Sequence, residues 1–147
     1  MFEAFQEPRN LARITPAWLR FVIRGDGPLE MRSGLEIDYT IRWLGLPMRW
    51  RSVISEYDPP HLFVDEQVIG PYAKWHHRHD FWAAGNDTVV ADRVRYSLPF
   101  GPLGRIAQEL LVKRQLLGIF GYRARAISDL IGADCTVIEA PVIERLR

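Results

Sequence analysis

Residues 34–43 read GLEIDYTIRW, and in them Leu35, Ile37, Tyr39, Ile41 and Trp43 alternate with Glu36, Asp38, Thr40 and Arg42. Successive side chains of an extended chain point to opposite faces, so the alternation predicts a strand with one apolar and one solvated face. Turn-forming residues punctuate the chain on either side. Gly25-Asp26-Gly27-Pro28 precedes the strand, Gly45-Leu46-Pro47 turns into a second strand over 48–57, and Asp58-Pro59-Pro60 turns into a third over 62–69. After Gly70-Pro71, strands over 72–82 and 88–98 flank the hairpin-like Ala84-Gly85-Asn86-Asp87. Short strands joined by tight turns predict an antiparallel meander.

The first fifteen residues allow a short helix with Phe2, Phe5, Leu11 and Ile14 inward, divided at Pro8. Thr15-Pro16 ends it, because the residue before a proline is pushed out of the helical region. At the other end, beyond Pro99-Phe100-Gly101-Pro102-Leu103-Gly104, apolar residues recur at helical spacing: Ile106, Leu110, Leu117, Phe120, Ala124, Ile127 and Ile131. A helix from about residue 102 to 131 is roughly 45 Å long, enough to cross a sheet. Gly132 suits its C-terminal stop, and Gly118 and Gly121 inside it are expected to permit a bend or close packing. Strands followed by one long helix predict the α+β class, a curved antiparallel sheet around the C-terminal helix. Residues 1–132 form one domain in this scheme and 133–147 a tail, extended or loosely held.

Composition narrows the function classes. The 147 residues are 48% hydrophobic and 25% charged, a globular balance, and the formal charge of +1 is spread without a basic stripe. A nucleic-acid partner is therefore not expected. With Cys135 as the single cysteine, an intrachain disulfide and a cysteine-based zinc site are excluded. No apolar run of spanning length and no leader pattern occurs, so the expected location is the cytoplasm.

Alternation places Trp75, His77, His79 and Phe81 on one face of their strand, and Val90, Asp92, Val94, Tyr96 and Leu98 on one face of the next. If both faces are inner, His77, His79, Asp92 and Tyr96 form a polar cluster in an aromatic and aliphatic hollow. A carboxylate beside an imidazole holds its proton or fixes its tautomer, which serves either a core network, a ligand-orienting site or a general acid/base. The His-x-His spacing also invites a metal, with Asp92 as the one further donor in view; lacking a convincing third ligand, no metal or other cofactor is assigned. His76 is expected to be exposed and His61 to sit in a turn. Ligand-contact candidates are Tyr39, Trp75, His77, His79, Phe81, Asp92, Tyr96, Phe100 as an apolar cap, and Leu117 and Phe120 from the helix.

Arg9-Asn10-Leu11 with Thr15-Pro16, Gly70-Pro71-Tyr72 with Trp75-His76-His77, and Asp92-Arg93-Val94-Arg95-Tyr96 running into Leu98-Pro99-Phe100-Gly101-Pro102-Leu103-Gly104 resemble the START and birch-pollen-allergen superfamily, SRPBCC. They are most similar to its bacterial polyketide cyclase-like or ligand-binding branch. The resemblance covers nearly the whole chain and implies a helix-grip fold with a cavity between sheet and helix. It leaves carriers, chaperones and enzymes open, since fold alone does not fix function. One departure is the absence of an edge strand before the first helix. Either the start is shortened, the favoured explanation, or the tail or another chain completes the edge; an open edge also invites self-association. The leading expectation is carriage of a small hydrophobic molecule: a lipid, a quinone or an aromatic polyketide. The alternatives are a cyclase or hydratase using His79, Asp92 and Tyr96, and a protein-interaction module.

Overall fold

The structure, a computed structural model, describes residues 1–25, 27, 29–43, 45–99, 105–132 and 141–145, with the backbone alone at 105–110. Two short helices, α1 (Phe2–Gln6) and α2 (Asn10–Arg13), lead through a 3-10 turn (Ala17–Leu19) to a seven-stranded sheet. Its strands are β1 (Val22–Ile23), β2 (Glu36–Trp43), β3 (Leu46–Asp58), β4 (Leu62–Ile69), β5 (Lys74–Ala84), β6 (Asp87–Ser97) and β7 (Val142–Arg145), with α3 (Arg105–Ile131) between the last two. The spatial order is β1-β2-β3-β4-β5-β6-β7. Every neighbouring pair is antiparallel except β6 and β7, which run parallel. The α+β architecture and the position of the long helix are as the pattern predicts.

Local chemistry sets the boundaries. Gly85 has φ +65, the left-handed conformation that a two-residue hairpin turn demands, and it links Ala84 to its partner Asp87. Leu35, just before β2, and Ile37, Tyr39 and Ile41 on it are buried as a continuous inward row. Asp38 faces the other way, 3.2 Å from Arg49 and 2.6 Å from Arg51, and Arg51 also reaches Glu36 at 3.1 Å. β3 continues the inward row with Trp50, Ser52 and Ile54, and then a bulge between Ile54 and Glu56 reverses its phase. Tyr57 therefore turns inward, donating to Gln6 Oε1 at 2.7 Å and tying α1 to the sheet.

The main core joins Leu35, Ile37, Tyr39, Ile41, Trp50, Ile54, Tyr72, Val94 and Tyr96 of the sheet to Val112, Leu116 and Phe120 of α3. The helix contributes residues four apart, one stripe of its surface. A smaller cluster, Phe2, Phe63 and Phe81, seats α1, with Phe2 and Phe81 edge to face at 4.9 Å. Each buried aliphatic or aromatic side chain here contributes about 1.5–3 kcal/mol.

Two expectations change, and the alternative left open for the tail is decided. Residues 142–145 of the expected tail are a strand pairing with Arg93–Tyr96, and Arg95 Nε donates to Glu144 at 3.0 Å; the tail thus covers the β6 edge. Gly118 and Gly121 make no close approach: among the described residues a Cβ on either would meet nothing within 4 Å beyond the helix's own backbone. Leu117 is 42% exposed, because it stands about 100° around the helix from Leu116 and so leaves the buried stripe.

Candidate functional site

Between the inward sheet face, α3 and the N-terminal helices lies a cavity of about 150 Å³. Its walls are mostly aromatic and aliphatic, including Tyr39, Trp43, Trp50, Tyr72 and Trp75 from strands and the strand connection and Leu116, Ile119 and Phe120 from α3. The polar groups lining it are few: Thr15, Ser52, Asp65, His77, His79, Gln115 and Arg123. Ser52 is tied down, accepting from Trp50 Nε1 at 2.9 Å and sharing a 3.2 Å hydrogen bond with Tyr39. Burial pushes the Tyr39 phenol well up, and the Asp65 charge adds to this. Tyr39 is neutral at physiological pH and serves as a hydrogen-bonding group.

The histidines form a second structure in the wall. His77 and His79 project from one face of β5, ring centroids 3.9 Å apart, flanked by Phe63 at 4.2 Å from His79 and by Phe120 edge-on at 5.4 Å from His77. Register brings a carboxylate in from each neighbouring strand: Asp65 of β4 pairs with His77, and Asp92 of β6 pairs with His79. On the cavity side, Asp65 Oδ2 is 3.2 Å from His77 Nδ1 and 3.5 Å from His79 Nε2. On the far side, Asp92 Oδ1 is 3.0 Å from His77 Nε2 and 2.7 Å from His79 Nδ1, the latter contact lying off the hydrogen-bonding direction. Trp75 Nε1 donates to Asp65 Oδ1 at 3.2 Å.

The charges are mutually dependent. Burial pushes both aspartates up, but the two imidazoles outweigh it and hold each carboxyl far below the usual carboxylate range. Burial pushes His77 down, and Asp65 and then Asp92 more than reverse this, so its pKa is raised.

Of the candidates read from sequence, Tyr39, Trp75, His77, His79 and Phe120 line the cavity. Asp92 stands behind the histidines rather than in the lining. Phe81 belongs to the Phe2 cluster, and Tyr96 is buried in the core edge-to-face with Tyr72 at 5.6 Å, so neither reaches the cavity wall. Leu117 is replaced by Leu116 and Ile119, and Phe100 lies outside the described residues. His76 is half-buried, 3.9 Å from Glu66, and His61 sits in the turn after Pro60, its N–H donating to the Asp58 carbonyl.

The residues missed are Asp65, Gln115 and Arg123. Asp65 shares its strand face with Phe63, and extending the pairing from β5 to β4 puts that face against His77 and His79. Arg123 is 5.3 Å above the Phe120 ring, and its Nε, like Gln115 Oε1, is buried with no hydrogen-bond partner among the described residues.

Among the described residues no helix is long and apolar enough to cross a membrane. No family model matches the sequence, and no curated protein matches it. In fold, the chain is similar to the crystal structure of protein Ms6760 from Mycobacterium smegmatis, with a TM-score of 0.61 and 16% identity over 89% of this chain and 81% of that one.

Proposed function

We propose that this chain is a binding protein of the START-like SRPBCC type whose cavity takes a compact, mainly apolar molecule carrying one oxygen-bearing end. The observation that carries this is the aromatic cavity with a few converging polar groups, the usual make-up of a small-molecule site. A volume of about 150 Å³ sets the scale: drug-sized ligands occupy roughly 300–1,000 Å³, and a dry cavity of about 150 Å³ accepts benzene. The ligand is therefore of about single-ring bulk, or one end of a longer molecule. Among quinones, aromatic polyketides and lipids, ring compounds suit the walls best, and a lipid fits by one end only. Arg123 and Gln115 supply the polar contact, since a buried group without a partner costs about 1–3 kcal/mol until a ligand satisfies it.

Native mass spectrometry of freshly purified protein, with extraction of any bound compound, tests this directly. A stoichiometric aromatic or amphipathic adduct is expected. A clean unliganded mass, together with no change in tryptophan fluorescence on titration with aromatic acids and quinones, would overturn it, because Trp43, Trp50 and Trp75 all line the space.

Proton transfer is the second reading, favoured by the imidazole nitrogens that face the cavity beside Asp65. There His79 moves the proton and Asp92 holds the ring from behind, while Tyr96 takes no part. Turnover of a ring ketone lost in folded His79→Gln protein would establish it; equal turnover in that variant would end it.

A further inference from the structure

The geometry points to a divalent transition-metal site in the cavity wall, with His77 Nδ1, His79 Nε2 and Asp65 Oδ2 as ligands and Asp92 as the carboxylate that orients the His77 ring from behind. One donor atom from each of Asp65, His77 and His79 lies within 4.8 Å of the other two. Metal bonds of about 2.0–2.2 Å at tetrahedral angles set adjacent ligand atoms roughly 3.4 Å apart. The two nitrogens stand 3.2 and 3.5 Å from the Asp65 oxygen, close to that spacing, and all three donor atoms lie within 4.8 Å of one another, so a small inward turn of the rings closes the set around an ion.

The second carboxylate makes the arrangement more specific than a chance grouping. Metal-bound histidines commonly donate their other ring N–H to a carboxylate, which fixes tautomer and orientation. Here Asp92 Oδ1 faces His77 Nε2 and His79 Nδ1, the two nitrogens turned away from Asp65. The remaining coordination positions open toward the cavity, which Asp65, His77 and His79 line and Asp92 does not.

The ring nitrogens divide between the two carboxylates. Four ring nitrogens each approach a carboxylate oxygen within 3.5 Å. A metal ion on the Asp65 side would take His77 Nδ1 and His79 Nε2, leaving His77 Nε2 on its 3.0 Å hydrogen bond to Asp92. Two imidazoles and a carboxylate suit zinc or iron(II) and are poor for the soft Cu(I) ion.

The site does not depend on which organic molecule fills the cavity, so metal alone is the probe. Tag-free full-length chain, stripped with chelator, is titrated with Co²⁺ and then Zn²⁺, following visible d–d absorption and metal content after dialysis. About one equivalent is expected, with a d–d band, no sulfur-to-cobalt charge-transfer band, and displacement of cobalt by zinc. Asp65→Asn and His79→Gln should each weaken binding at least about 100-fold, and Asp92→Asn about 10- to 100-fold with the band retained. NMR of the wild type needs no variant: among the chain's four histidines, zinc should shift His77 and His79 ring signals and leave His61 and His76 in place. No retained metal, a thiolate band from Cys135, or zinc shifts confined to His61 or His76 would overturn the site.

Discussion

His77 and His79 share one oxygen: Oδ1 of Asp92 lies 3.0 Å from a nitrogen of the first and 2.7 Å from a nitrogen of the second. Two rings held by one buried carboxylate make their stability contributions inseparable, and pH should reveal it. His77 has a raised pKa, so its contribution is full below its ordinary 6.5 and is lost as pH rises through the folded value. Asp65 and Asp92 are lowered, so theirs is full above the ordinary 3.8 and is lost as pH falls through the folded values. For metal-free protein, urea midpoints between pH 3 and 9 should be highest between about 4 and 6.5 and decline on both sides.

Asp92→Asn should destabilise the metal-free chain by about 3 kcal/mol, the low end for a broken buried pair because Asp92 keeps 17% side-chain exposure. It should also flatten the pH profile. Equilibrium urea denaturation of both proteins checks the two effects together.

Gly118→Ala should stabilise by about 0.5–1 kcal/mol, since the site is exposed, helical and free of any neighbour within 4 Å of a new Cβ. The readout is the thermal midpoint, which should rise while ligand uptake is unchanged.

Leu116→Trp should close the cavity. Leu116 lines it from α3 and is buried, so the larger ring extends into open space and the stability cost should stay within about 1–3 kcal/mol. Aromatic probes that quench wild-type tryptophan fluorescence should lose at least about tenfold in affinity.

Arg123→Gln should discriminate between ligands by charge. Arg123 makes no ion pair among the described residues and its Nε is buried without a partner, so an anionic ligand end is its natural counterpart. Calorimetry should record a loss of about 10- to 100-fold for an aromatic carboxylate and little change for the matching neutral amide.

Much of the fold was legible because its turns carry proline and glycine and its strands alternate cleanly; β4 occupies the expected residues 62–69. The site was half legible. His77 and His79 follow from strand parity, but Asp65 sits in FVDEQV, where its own strand looks like an unremarkable mixed run, and only pairing with β5 gives it a role. The bulge after Ile54, which shifts the strand's phase ahead of Tyr57, has no signal in the alternation itself. Leu117 failed for a different reason: apolar spacing on a helix defines a broad arc, and three-dimensional packing chose the side holding Leu116. For β7 the sequence left two alternatives, an extended or a loosely held tail, because four residues carry too short a pattern to decide without the pairing on β6.

That last pairing has a consequence for the order of assembly. Strands β1 to β6 are sequential antiparallel neighbours that can zip up as hairpins, whereas β6 and β7 are parallel and separated along the chain by α3. The amides of 142–145 are therefore expected to gain their protection late, once α3 has carried the chain back to β6. Hydrogen exchange in this strand is a clock for helix docking, and loosening α3 releases the edge of β6 as its first effect.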